Sequence, residues 1–219
     1  MRGYDREKNL DREIYYSDHY FSYGQLWSFT EQIYHISQFK PQRLIEVGVG
    51  NGFVSGFFKT MGIHVKTFDI NPNLFPDIVA PLHDLSDFVH SNEFDLISCC
   101  EVLEHIPFEE FENLIGQFST LSERLFLTLP VHSKYIGFGG LIRLPKFLRW
   151  VGIWLRLPMK SRQLFDSHFW EIDYDDKTSK KEILGLLNKY YWKVETGLFK
   201  ANPYHRYFSC SESRNLKKS

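Results

Sequence analysis

The stretch "RLIEVGVGNGFVSGFF", Arg43 to Phe58, places an acid and three glycines where an apolar run meets a helical pattern. Glu46 precedes Gly48, Gly50 and Gly52, which occupy every second position. Glycines permit a tight turn and close approach of a ligand to the backbone, and the amides opening the next helix point at the bound group. Asp69 follows Gly48 by about twenty residues at the end of the next apolar run. An acid so placed can accept hydrogen bonds from both hydroxyls of a ribose. A second cluster is "EVLEH", with Glu101, Glu104 and His105. On one helical turn these three project to one side, where two carboxylates and an imidazole can hold a divalent cation such as Mg or Mn. The same groups can instead shape a pocket or cap a helix. His132 reads as a general base or as a hydrogen-bonded loop histidine.

Those residues need a scaffold that brings strand ends together. Strand-like runs "RLIEV", "HVKTFDI", "DIVAPL", "FDLISCC" and "ERLFLTLPV" alternate with the helical patterns "GFVSGFFKTMG" and "FEEFENLIGQFSTLS". Strand–helix alternation predicts an α/β fold with a Rossmann-like, seven-stranded, mostly parallel sheet and helices on both faces. "YWKVETGLFK" and "YHRYFSCS" predict a closing pair with an antiparallel C-terminal strand. Phe21, Trp27, Phe29, Ile33, Ile36 and Phe39 predict an N-terminal helix. Residues 1–40 then form a polar tail and capping helix, and 41–219 the main domain, interrupted by an insertion at about 132–170.

The bulk numbers narrow the partners. With 43% hydrophobic residues among 219, the chain can bury a core. Its 26 basic and 27 acidic residues nearly cancel, which speaks against nucleic acid as a partner. Three cysteines, two of them adjacent, form neither a disulfide framework nor a zinc motif. The charged N-terminus has no apolar signal core, and a cytoplasmic location is expected.

The E-x-G-x-G-x-G spacing, with Phe53 where a dinucleotide fingerprint has glycine, resembles the first motif of class I S-adenosylmethionine (SAM)-dependent methyltransferases. Asp69, "HDL" and "FDLISCCEVLEH" extend the resemblance to the type 11 and UbiG-like families over about residues 20–131. It implies that Tyr20, Glu46, Gly48, Gly50, Asp69, Ile70, Asp84, Leu85, Cys100 and Glu101 bind SAM, with Asp84 near the adenine. It implies methyl transfer to an oxygen, or secondarily a nitrogen, of a small-molecule acceptor, sugar-like or lipid-linked. His105 or His132 would be the base. "EVLEH" also resembles the metal ligands of RNA 2′-O-methyltransferases, in which a later histidine completes the set. By that analogy Glu101, Glu104, His105 and His168 would bind the cation, and metal-assisted RNA methylation is an alternative reading. A non-catalytic protein that keeps the fold is another.

"FGGLIRLPKFLRWVGIWLRLPMK" is basic and aromatic, and no acid occurs between Lys134 and Arg162. Pro145 and Pro158 can bound a helix, and the bases fall near helical spacing. A basic amphipathic helix is expected after the fifth strand, as a lid over the acceptor or as a peripheral membrane contact through 141–160.

Overall fold

The computed structural model describes residues 3–18, 20–132, 134–144, 149–159 and 163–216. Nine strands and six α-helices are described. The strands are β1 (Arg43–Val47), β2 (His64–Asp69), β3 (Ile78–Val79), β4 (Leu96–Cys100), β5 (Arg124–Pro130), β6 (Lys134–Leu144), β7 (Arg149–Met159), β8 (Tyr191–Leu198) and β9 (His205–Ser213). The helices are α1 (Tyr4–Glu7), α2 (Tyr23–Gln38), α3 (Phe53–Thr60), α4 (Leu85–Phe88), α5 (Phe111–Leu121) and α6 (Lys180–Tyr190).

Seven strands form one sheet in the order β3-β2-β1-β4-β5-β9-β8. β1 to β5 are mutually parallel, and β9 runs antiparallel to both neighbours. The expected sheet and its antiparallel C-terminal strand are present. Successive side chains of a strand point to opposite faces, and the core divides accordingly. Ile45, Ile97 and Leu125 pack with α5 and α6 on one face. Leu44, Leu96 and Phe126 pack with α2 and α3 on the other. Strand order reverses between β1 and β4, and the crevice beyond their carboxyl ends is where such sheets bind ligands.

Two expectations are corrected. The insertion is not helical: β6 and β7 pair antiparallel as a separate two-stranded sheet, in register from Lys134↔Met159 to Leu144↔Arg149. Its Ile, Val, Trp, Tyr and Phe content suits a pleated ribbon, and Gly137, Gly139, Gly140 and Gly152 weaken a helix. The helical spacing of its bases was a coincidence of short range. Pro145, the expected helix start, lies outside the described residues, and Pro158 falls inside β7. The N-terminal segment is also more than a loose tail. Its α1 and the 3-10 turn Arg12–Tyr16 fold back over the sheet, and Tyr15 is buried.

One side chain ties the starts of the two central strands. Asp95 Oδ2 accepts from the backbone N–H groups of Gln42 and Arg43, each at 2.9 Å. Its Oδ1 accepts from Arg43 Nε at 3.1 Å and Nη2 at 2.6 Å. Partial burial pushes this carboxyl up, but the Arg43 guanidinium and the two amides outweigh it and hold it below the usual range. Replacing Asp95 with Ala should cost about 1–3 kcal/mol in a urea titration at neutral pH, mostly through the orphaned amides. The penalty should begin to shrink as pH falls through about 4, the ordinary aspartate value, and disappear only below the lower value of the folded carboxyl.

Candidate active site

The turn after β1 is built by conformation. Gly48 has φ +81°, and a Cβ there would meet Val102 Cγ2 at 2.2 Å, so only glycine fits. Its N–H donates to Phe68 O at 2.9 Å. The next amide, Val49 N–H, donates to Asp69 Oδ2 at 2.8 Å, and Asn71 N–H donates to Asp69 Oδ1 at 2.8 Å. Asp69 therefore pins the glycine turn to the end of β2. Gly50, at φ +53°, has open space where a Cβ would stand. These elements open onto a cavity of about 540 Å³, within the range of small-molecule sites.

Tyr20, Glu46, Gly48, Gly50, Asp69, Ile70, Cys100 and Glu101 all line this cavity, as do Glu104, His105 and His168. Asp84 and Leu85 do not. Residues 82–84 form a 3-10 turn, so Leu82 and His83 reach the wall, Asp84 is exposed and Leu85 is buried in the core. His132 is also absent from the lining. Its N–H donates to Ile172 O, and its ring lies behind Glu171, with Nδ1 3.2 Å from Glu171 Oε2. The chain leaving β5 carries it away from the crevice. Tyr23 and Trp27 are exposed and do not line this cavity.

Sequence reading missed Tyr4, Glu7 and Tyr15, which the folded-back N-terminus brings to the wall, and Tyr204 and His205 at the start of β9. Glu7 Oε1 lies 3.4 Å from His105 Nδ1, and Tyr15 OH is 3.4 Å from Glu7 Oε2. The aromatic and charged alternation of "YDREKNLDREIYY" was the available signal. Glu171 was missed as well. It is fully buried, and its Oε1 lies 2.9 Å from His168 Nδ1 and 3.2 Å from Tyr204 OH.

Burial governs the electrostatics. It raises the Glu46 carboxyl to about 7, against bonds from Ser55 and the Lys59 charge. Glu46 Oε2 is buried with no hydrogen-bond partner. Glu46 lines the cavity, and a buried acid oxygen left without a partner there fits an ammonium group. Burial also raises Asp69, against the amides of Asn71 and Val49. It raises both Glu101 and Glu104, two acids on the same wall, and the Glu101 charge adds to the resistance of Glu104 to ionisation. Like charges brought together out of water favour keeping a proton on one of the two. Glu101 sits at φ +55°, a left-handed conformation that costs a non-glycine residue of order 1 kcal/mol and marks the end of β4 as strained. Its Oε2 is 3.2 Å from His205 Nε2, and burial lowers His205 to about 3. Burial lowers His105 too. Its Nδ1 is 3.1 Å from Ser167 O, which makes Nδ1 the donor and leaves Nε2 as an acceptor.

The raised Glu46 has a consequence for the protein without ligand. Its folded value lies above the ordinary 4.5, so the stability associated with it is fully present below about 4.5 and is lost as pH rises through about 7. Glu46→Gln should therefore stabilise the ligand-free protein at pH 8 by on the order of 2–3 kcal/mol, with little gain at pH 5. Thermal melts at the two values check this. Equal gains at both would sink the assignment.

Comparisons with known proteins agree with this geometry. A family model described as a methyltransferase domain matches residues 24–172, more than half of the chain. Among solved structures, the N-methyltransferase NodS from Bradyrhizobium japonicum WM9, in complex with S-adenosyl-L-homocysteine, is similar in fold. Its TM-score is 0.57 at 13% identity, covering 95% of each chain. Magnesium protoporphyrin IX methyltransferase (ChlM) from Synechocystis PCC 6803, with bound SAM, has a TM-score of 0.53 at 15% identity. That match covers 95% of this chain and 100% of the other. Among curated proteins, the ubiquinone biosynthesis O-methyltransferase of Xylella fastidiosa (strain 9a5c) is 32% identical over 80 residues, 30% of this chain and 32% of that protein. The chain thus spans about a third of the length of the curated relatives it matches. With the glycine turn, the pinned Asp69 and the family match in hand, the chain belongs to the methyltransferase-domain family.

Proposed function

We propose that this protein transfers the methyl of SAM to an oxygen of a small acceptor, with His168 as the base. SAM supplies a methyl on a sulfonium, so the leaving group is neutral. The protein's tasks are alignment, exclusion of water and removal of the acceptor's proton. Glu46 would receive the amino group of SAM, and Asp69 the ribose hydroxyls. The observation that carries the oxygen reading is the buried Glu171–His168 pair on the cavity wall. A carboxylate at Nδ1 fixes the proton there and leaves Nε2 as the acceptor. An alcohol or phenol needs such a base at neutral pH. The curated relatives quoted above are O-methyltransferases by name, which supports the same choice.

A second reading involves a divalent cation. Glu104, His105 and His168 each offer a ligand atom within 4.8 Å of the others. Both carboxyl oxygens of Glu104 are buried without a conventional partner, a donor set that fits a cation such as Mg or Mn. Glu101 falls outside that set, and its Oε2 faces His205. In this reading the three residues would hold the ion, which would lower the pKa of the acceptor hydroxyl.

Two measurements bear on these roles. Calorimetric titration should show SAM affinity falling about tenfold per unit as pH drops below about 7 in the wild type, where Glu46 becomes neutral. Glu46→Gln should bind weakly and without that slope. A methyl-release assay across pools of hydroxylated acceptors should reveal turnover. There His168→Ala should lower kcat by about 10²–10⁴-fold while SAM affinity holds, and Glu171→Gln should lower it less. Activity that survives EDTA supports His168 as the base. Activity lost to EDTA and restored by manganese overturns that role in favour of the cation.

A further inference from the structure

The β6–β7 hairpin has no role in the site just described, and its register exposes a pattern that the sequence alone did not. Alternate cross-strand pairs place Ile136 with Leu157, Phe138 with Leu155, Gly140 with Ile153, and Ile142 with Val151 on one face. That face carries no polar residue from Ile136 to Ile142 or from Val151 to Leu157. Its two described side chains, Leu155 and Leu157, are 65% and 67% exposed. The hairpin forms its own sheet, and each strand contacts chiefly the other. An isolated two-stranded ribbon is marginal in water, and exposed leucines on a face whose register positions are all apolar mark a binding surface.

Charge identifies the occupant. Positions 134–162 hold seven basic residues and no acid, leaving 19 basic against 27 acidic residues in the rest of the chain. The opposite face of the hairpin carries Tyr135, Arg143, Trp150, Trp154 and Arg156 by the same register. The aliphatic face itself ends in Lys134 at one end and Arg149 at the other. Basic residues bracketing an aliphatic face, with aromatic residues nearby, are the composition of a membrane interface. A second copy of the chain would bring two clusters of seven like charges together with no acid between them. Nucleic acid would meet an aliphatic face rather than a polar one.

We propose that the hairpin is a membrane-docking element that lays its Ile136–Leu157 face into an anionic lipid surface. Flanking bases would engage the headgroups. The proposal is independent of methyl transfer, so it can fail while the SAM reading holds.

Flotation of the full chain with vesicles tests it. The protein should float with phosphatidylcholine vesicles containing phosphatidylglycerol, less so with phosphatidylcholine alone, and less as salt is raised. Each base neutralised, as in Lys134→Gln or Arg149→Gln, should weaken binding about fivefold. Leu155→Asp with Leu157→Asp should abolish flotation. Both leucines are exposed, so calorimetric SAM binding should be unchanged and reports that the fold is intact. A wild type that stays soluble with both vesicles overturns the proposal. So does a concentration-dependent dimer in light scattering that the same two substitutions dissolve.

Discussion

The controlling constraint is the burial of acids at the carboxyl end of the sheet. Glu46, Glu104 and Glu171 are each less than a tenth exposed, and Glu101 is mostly covered. Carboxylates removed from water must find partners or take protons. Glu171 finds His132, His168 and Tyr204. Glu101 finds His205, while Glu104 has no hydrogen-bond partner among the described residues and favours its protonated form. Glu46 is left with a free oxygen. The unequal solutions divide the cavity into a part that awaits a cation-bearing ligand and a part arranged to move a proton.

The N-terminal segment makes that burial possible. Without α1 and the turn that follows, the crevice between β1 and β4 would open to water on the side where Glu7 meets His105. The segment is held by few bonds. Tyr16 OH donates to Asn51 O at 3.2 Å, and Asn71 Nδ2 donates to Leu10 O at 2.9 Å. Both anchors land on the loops after β1 and β2, the first carrying the glycines and the second following Asp69. A cover tied to the loops that would hold SAM excludes water from both at once.

How legible was this in the sequence? The β1–turn–α3 unit was, because glycine at positive φ and an acid at a strand end have few substitutes. The central strands were legible because apolar runs bounded by turns suit both-face burial. Asp84 falls outside the cavity lining because a 3-10 turn brings Leu82 and His83 to the wall, a local choice no spacing rule contains. Glu171 and Tyr204 stand 33 residues apart in sequence and meet only in the fold. The insertion failed for a different reason. A stretch with bases every three to seven residues and apolar residues between them matches period 3.6 and period 2 about equally. The glycines and β-branched residues should have decided it, and the two prolines were read as helix boundaries instead.

The hairpin and the site share more than adjacency in sequence. β6 begins four residues after β5 ends at Pro130, beside the carboxyl edge of the sheet. The chain leaving β7 returns to Phe165, Ser167 and His168, all on the cavity wall. The ribbon therefore leaves the chain beside the carboxyl edge of the sheet and is followed by residues of the cavity wall. An 11-residue strand extends about 35 Å, long enough to reach well beyond that wall. An element of this length, apolar on one face and free of acids, presents the entrance of the cavity to whatever surface it binds. If that surface is lipid, an acceptor with a long apolar tail need not leave the bilayer fully, and only its head group must cross to His168. The same geometry removes the cost of desolvating such a tail in water, roughly 0.8 kcal/mol per methylene, from the binding step.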